Sequence, residues 1–105
     1  WQAVNDPCTI ELGVGWRIPS QAEWTAVRNA NGYSNNFTSV LKIHAAGYLA
    51  YNNGVITDRG SGHHYWSSDY SDATFARAYV VFPPNTYTIS NNNQLAGFSV
   101  RCIRD

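Results

Sequence analysis

Only two cysteines occur in this chain of 105 residues, Cys8 and Cys102, one near each end. If they pair, nearly the whole chain becomes one closed loop and the fold must bring its termini together. In the chain-entropy picture such a closure contributes up to about 4.7 kcal/mol, and it requires an oxidising compartment. The other reading open at this point is two separate buried thiols. A metal or redox pair is disfavoured, because no second Cys or His stands at ligand spacing from either one. Two runs flank the cysteines, Val14-Gly15-Trp16-Arg17-Ile18-Pro19-Ser20-Gln21-Ala22-Glu23-Trp24 and Ala96-Gly97-Phe98-Ser99-Val100-Arg101-Cys102-Ile103-Arg104-Asp105. They read as the closing edges of one small domain spanning residues 1–105.

A chain of this length buries roughly 65% of its unfolded surface, enough for one modest core without a metal. Charged residues are 13% of the chain and the formal net charge is zero, so the electrostatic footprint of a nucleic-acid binder is missing. No apolar run approaches the ~20 residues needed to cross a bilayer, and no basic start precedes an apolar signal region. The first residue is Trp1 rather than Met, and the expectation is a C-terminal domain of a longer chain whose export signal and anchor lie elsewhere.

Ser20 followed by Glu23 fits a capping box. A helix is expected over residues 21–30, with Trp24 and Val27 on one face and Asn31-Gly32 as the stop. A second short helical turn is expected at 36–41. From Lys42 the pattern changes to short strands with turn punctuation: 43–51, 55–56 after an Asn53-Gly54 turn, 64–68 after the Gly60-Ser61-Gly62 bend, 75–82, 87–89 and 98–103. Pro83-Pro84-Asn85 ends the clearest of these strands, and Asn91-Asn92-Asn93 reads as a loop. Helix first and hairpins later imply an α+β domain with a twisted antiparallel sheet.

Strand alternation splits 75–82 into two faces. Ala76, Ala78, Val80 and Phe82 suit a core. Phe75, Arg77, Tyr79 and Val81 then face outward, and that row has the composition of a recognition patch, which Tyr70, Asp72, Asn85, Tyr87 and Asn93 on adjoining turns extend. Tyr offers large contact area at low entropic cost. The alternative is that this second face is buried too, under the Tyr87 hairpin or the first helix. His63, His64 and His44 invite a metal reading, but adjacent strand residues point to opposite faces, so polar residues flanking a Gly-rich bend are the simpler expectation. Ser67 and Ser68, near His64 and Asp69, lack the strained turn that presents a nucleophile, and local hydrogen bonding explains them better. Trp16, Trp24 and Trp66 read as core aromatics.

Asn5-Asp6-Pro7-Cys8, Gly15-Trp16-Arg17-Ile18-Pro19-Ser20, Ala22-Glu23-Trp24, Ala46-Gly47-Tyr48, Asn53-Gly54, Arg59-Gly60, Tyr65-Trp66-Ser67-Ser68 and Gly97-Phe98-Ser99-Val100-Arg101-Cys102 together resemble the bacterial major-paralogous-domain family of Fibrobacter and Bacteroides surface proteins. The resemblance spans nearly the whole chain. It implies a C-type-lectin-like fold with adjacent termini, shared with formylglycine-generating enzymes and with the variable proteins of diversity-generating retroelements.

Three functional branches follow from that resemblance. Calcium-dependent sugar binding needs several convergent oxygen ligands. Only Asp69 and Asp72 offer carboxylates near the expected place, Pro84-Asn85 follows a proline, and Trp66 is followed by Ser67-Ser68 where a C-type lectin has Asn-Asp. Formylglycine-type oxidation needs a reactive cysteine pair, and neither cysteine has a near neighbour in sequence. Variable ligand display is the third branch. Randomising adenines in Asn codons that end in a pyrimidine cannot yield Lys, Glu, Met, Trp or Gln; between Ile43 and Asp105 the chain has no Lys, Glu or Met, and its only Trp and Gln there are Trp66 and Gln94. The expectation is therefore a noncatalytic adhesion or receptor-recognition domain, with no cofactor or metal and no membrane insertion of its own. It would bind a protein or glycan on a cell surface from a bacterial surface or a phage tail, with 63–95 as the diversified region. The competing expectations are a formylglycine-generating type of enzyme and a structural cap of a surface or fimbrial protein.

Overall fold

The computed structural model describes residues 2, 4–31, 44–70, 72–82 and 86–105. Its order is α1 (Pro7–Leu12), β1 (Trp16–Arg17), α2 (Gln21–Asn31), β2 (Tyr48–Leu49), β3 (Ile56–Thr57), β4 (His63–Tyr70), β5 (Phe75–Phe82), β6 (Thr86–Asn93) and β7 (Ile103–Arg104). The chain is thus a small α+β domain with antiparallel sheets. The expected helical turn at 36–41 lies outside the described residues.

Both chain ends are tied at one place. Cys8 and Cys102 form a disulfide with Cα atoms 5.6 Å apart, and β1 pairs antiparallel with β7, Trp16 opposite Arg104 and Arg17 opposite Ile103. The Arg17 guanidinium donates to Asp105 at 2.9 Å and forks onto both carboxylate oxygens of Glu23. Glu23 in turn accepts from the Ser20 N–H at 2.7 Å, and the Ser20 hydroxyl accepts from the Glu23 N–H at 3.3 Å. The capping box thus starts α2 as expected, and the same carboxylate joins the helix start to the terminal pairing.

Residues 7–12 form a helix that the apolar spacing does not signal. Asp6 is the reason: its side chain is 3% exposed and accepts from the N–H groups of Cys8 and Thr9, with Pro7 inside the first turn. Its second oxygen takes the Ile18 N–H at 3.0 Å. One carboxylate therefore caps α1 and anchors the exit of β1. Asp6→Ala is expected to cost about 1–2 kcal/mol, read as a lower urea midpoint at unchanged slope; an unchanged midpoint would remove Asp6 from this role.

The central sheet has the order β4-β5-β6 and is covered on both faces. On one face α2 lays Trp24 against Tyr65, Tyr79 and Val81, with Val27 and Ile89 at the margin. Trp24 stacks on Tyr79 with ring centroids 4.6 Å apart and donates its indole N–H to the Trp66 carbonyl at 3.2 Å. On the other face Trp66, Ala76, Ala78, Val80 and Ala96 pack with Tyr48, Phe82 and Phe98. Trp66 stacks on Phe98 at 4.4 Å.

Two strand expectations change accordingly. Residues 91–93 are not a loop: β6 keeps unbroken register with β5 from Thr86 opposite Phe82 to Asn93 opposite Phe75. Residues 98–103 are not a continuous strand, but a Ser99 bridge to Tyr65 followed by β7. Gly47 shows why its residue type is fixed. Its φ is +70°, a Cβ there would overlap the Thr57 carbonyl oxygen, and it would stand 2.7 Å from the Arg59 nitrogen.

His63 and His64 are buried strand residues, 0% and 5% exposed, not polar flanks of a bend. His64 sits among Tyr48, Phe82 and Phe98 with ring centroids 4.7–5.6 Å away, and its Nε2 lies 3.4 Å from Asp58. Burial holds both imidazoles below their ordinary value, and for His64 the Asp58 charge opposes that only in part. Glu23 is held down to about 2, chiefly by its hydrogen bonds from Arg17.

The sign is the same for the two histidines and for Glu23: each binds its proton less readily folded than unfolded, so each leads to acid destabilisation. Below the ordinary histidine value of 6.5 the unfolded chain takes up protons that folded His63 and His64 refuse. Stability should therefore be flat above about pH 6.5 and fall below it. The Glu23 contribution is lost separately as the pH drops from 4.5 towards 2. Thermal midpoints from pH 8 to pH 2 check this; a constant midpoint between pH 7 and pH 5 would contradict the histidine part.

Candidate functional site

Burial of both sheet faces redraws the recognition patch. Tyr79 and Val81, expected to face outward, are 0% and 1% exposed; the helix seats its Trp24 on exactly that row, so they belong to the core and no surface ligand reaches them. Phe75 and Arg77 lie on the same row nearer the end of β5, where Phe75 is 39% exposed and Arg77 is half-buried. Asn85 lies outside the described residues. Tyr87 sits opposite Val81 in the ladder, six positions along β5 from Phe75.

What converges instead is the opposite end of the sheet. Asn93 pairs with Phe75, and Tyr70 pairs with Ala76 after a register shift that follows Trp66 in β4. Asp72 turns the chain between these strands: its carboxylate accepts from the Thr74 and Phe75 N–H groups at 2.7 and 2.9 Å. Gln94 braces the turn from β6, its amide donating to the Asp72 carbonyl at 2.8 Å while its N–H reaches the Thr74 carbonyl at 2.9 Å.

Beside this turn opens a groove of about 620 Å³. Trp66, Ala73 and Ala76 give it an apolar wall, and Ser68, Asp69, Asp72 and Gln94 give it hydroxyl, carboxylate and amide groups; Gln2 and Asn5 approach from the N-terminal segment. The volume is that of a small-ligand cleft, and an apolar floor with a few placed polar groups is the usual composition of one. The groove is rigidly framed. Ser68 N–H bonds the Pro19 carbonyl at 2.9 Å, and Asp69 accepts from the Gln21 N–H at 2.7 Å, so the start of α2 fixes one wall.

Only Asp72 of the groove residues was named as a ligand contact from sequence. Ser68 and Asp69 lie within the register shift between Trp66 and Tyr70. No alternation pattern locates a bulge of that kind.

Ser67, one of the serines weighed as a nucleophile, is turned into the sheet. Ser67 is 0% exposed, donates its hydroxyl to the Arg77 carbonyl at 3.0 Å and accepts from the Asp69 N–H. Both cysteine sulfurs are joined to each other. Among the described residues, no three of His, Cys, Asp and Glu come together in a metal-binding group, and no helix is long and apolar enough to cross a membrane. Compared with known proteins, the chain matches no family model, no curated protein and no solved structure.

Proposed function

We propose that this chain is a noncatalytic recognition domain of C-type-lectin-like type. In this reading it binds a protein or glycan ligand in the groove beside Trp66, and works at a bacterial surface or on a phage tail. The observation that carries the reading is the groove: an apolar floor backed by the buried Trp66 and Ala76, set against hydroxyl, amide and carboxylate groups and held between α2 and the Asp72 turn. Among the described residues that line it, its two carboxylates are accompanied by no Lys or Arg, which favours neutral or cationic ligand groups over anionic ones.

The diversified-display reading draws further support from placement. Ser68, Asp69, Asp72, Ala73, Ala76 and Gln94 all fall within 63–95, the stretch free of Lys, Glu and Met. Residues that vary there would change the groove while the terminal disulfide and the Trp24 core hold its frame.

The competing enzyme reading needs reactive thiols in an accessible groove. Cys8 is 1% exposed and bonded to Cys102; Cys102 borders a separate cleft of about 310 Å³, but with the two sulfurs joined neither offers a thiol there, which favours recognition. A glycan and peptide array probed with the wild type beside Ser68→Ala and Phe75→Ala tests it. Selective capture is expected, weakened several-fold by Ser68→Ala at the groove and less by Phe75→Ala at its margin. Equal binding by all three proteins would place the site elsewhere.

A further inference from the structure

Strand β6 forms the far edge of the central sheet. On β4 the His64 carbonyl and the Trp66 N–H both bond Ser99, at 3.1 Å each. The alternation of an antiparallel ladder then turns Tyr65 and its partner Tyr79 towards each other, and Ala78 and Val80 towards β6. Ser90 and Thr88 answer those two from β6. The main-chain N–H and C=O groups of Tyr87, Ile89 and Asn91 consequently point to the open edge, and no described residue outside the strand hydrogen-bonds to them.

Natural edge strands are blunted by charge, proline, a bulge or shortness. Strand β6 has none of these: Thr86-Tyr87-Thr88-Ile89-Ser90-Asn91-Asn92-Asn93 carries no charged residue and no proline. It is 8 residues long, and its register with β5 shows no shift. We propose that two copies of the chain pair through β6, antiparallel about a two-fold axis at Ile89.

That register is self-complementary. Tyr87 of one copy meets Asn91 of the other and Ile89 meets Ile89, which are the residues whose main-chain groups are turned outward; Thr88 meets Ser90. The chain's zero net charge sets no long-range repulsion between copies. The pairing also closes on itself: the other sheet edge, β4, already bonds Ser99 through the His64 carbonyl and Trp66 N–H, the Trp24 indole through the Trp66 carbonyl and Pro19 through the Ser68 N–H. Two copies therefore use up the open edge and give a discrete dimer rather than a fibre.

Sedimentation equilibrium of the wild-type chain over a wide concentration range tests this, beside Asn91→Pro and Thr88→Lys. Both positions are exposed and neither lines the groove. Asn91→Pro removes one outward N–H and no bond to β5, and Thr88→Lys puts charge on the edge. The wild type should dimerise, and each variant should weaken the dimer by about tenfold or more with its circular dichroism unchanged. If Asn91→Pro does not fold, Thr88→Lys decides alone. A wild type that stays monomeric at millimolar concentration, open-ended assembly, or variants that dimerise as tightly as wild type would each overturn the proposal.

Discussion

Trp24→Ala is expected to lower stability by about 3–5 kcal/mol, the range for deleting a fully buried large aromatic. Three losses coincide at this side chain. Its ring is the contact between α2 and the sheet, 1% exposed and stacked on Tyr79, and it also meets Tyr65 with centroids 5.5 Å apart. Its indole N–H holds the Trp66 carbonyl, which an alanine leaves without that donor in a buried setting. Among the described residues its buried cluster partners are Tyr65, Tyr79 and Val81, large side chains fixed in the sheet that do not readily collapse into the space. Urea unfolding should show a much lower midpoint at an unchanged slope. A loss under about 1 kcal/mol would mean that α2 is not seated on Tyr79 and Val81.

Removing the terminal disulfide with paired Cys8→Ala and Cys102→Ala substitutions should cost about 2–5 kcal/mol. The cysteines are 94 residues apart, so the unfolded chain regains nearly all the entropy that the closure had denied it. Part of the native contact survives, because the β1–β7 pairing and the Arg17 bonds to Asp105 and Glu23 remain. These ion pairs are about one-third or more exposed and screened by water, and pairs of that kind contribute little by themselves. The variant should therefore fold, with a clearly reduced thermal midpoint. A midpoint equal to wild type would show that the ends are held without the sulfurs.

The features legible in the sequence were those governed by local rules. Ser20 and Glu23 announced α2 through a pattern of adjacent donors and acceptors, and Ala76, Ala78 and Val80 announced a core face through alternation. The cysteines announced joined ends because only one pairing was available. The opposite face of β5 was misread because its composition, Phe75, Arg77, Tyr79 and Val81, is compatible with water or with a helix; only the tertiary packing of Trp24 decides between them. Helix α1 was missed because its capping residue, Asp6, works partly through Ile18, twelve positions away. The groove was missed for a related reason. Its polar wall comes from a ladder irregularity after Trp66, from the Asp72 turn and from Gln94 beyond β6, and no local pattern brings these together.

Recognition in the groove beside Trp66 is the claim on which the functional reading rests, and filling that groove tests it most directly. Ala73 is exposed and lines the opening, so Ala73→Trp should occupy the space without disturbing either core. With a ligand captured by the wild-type chain in hand, titration of that ligand into Ala73→Trp should show binding lost by about a hundredfold or more while the thermal midpoint stays at the wild-type value. Undiminished binding to a folded Ala73→Trp chain would contradict it.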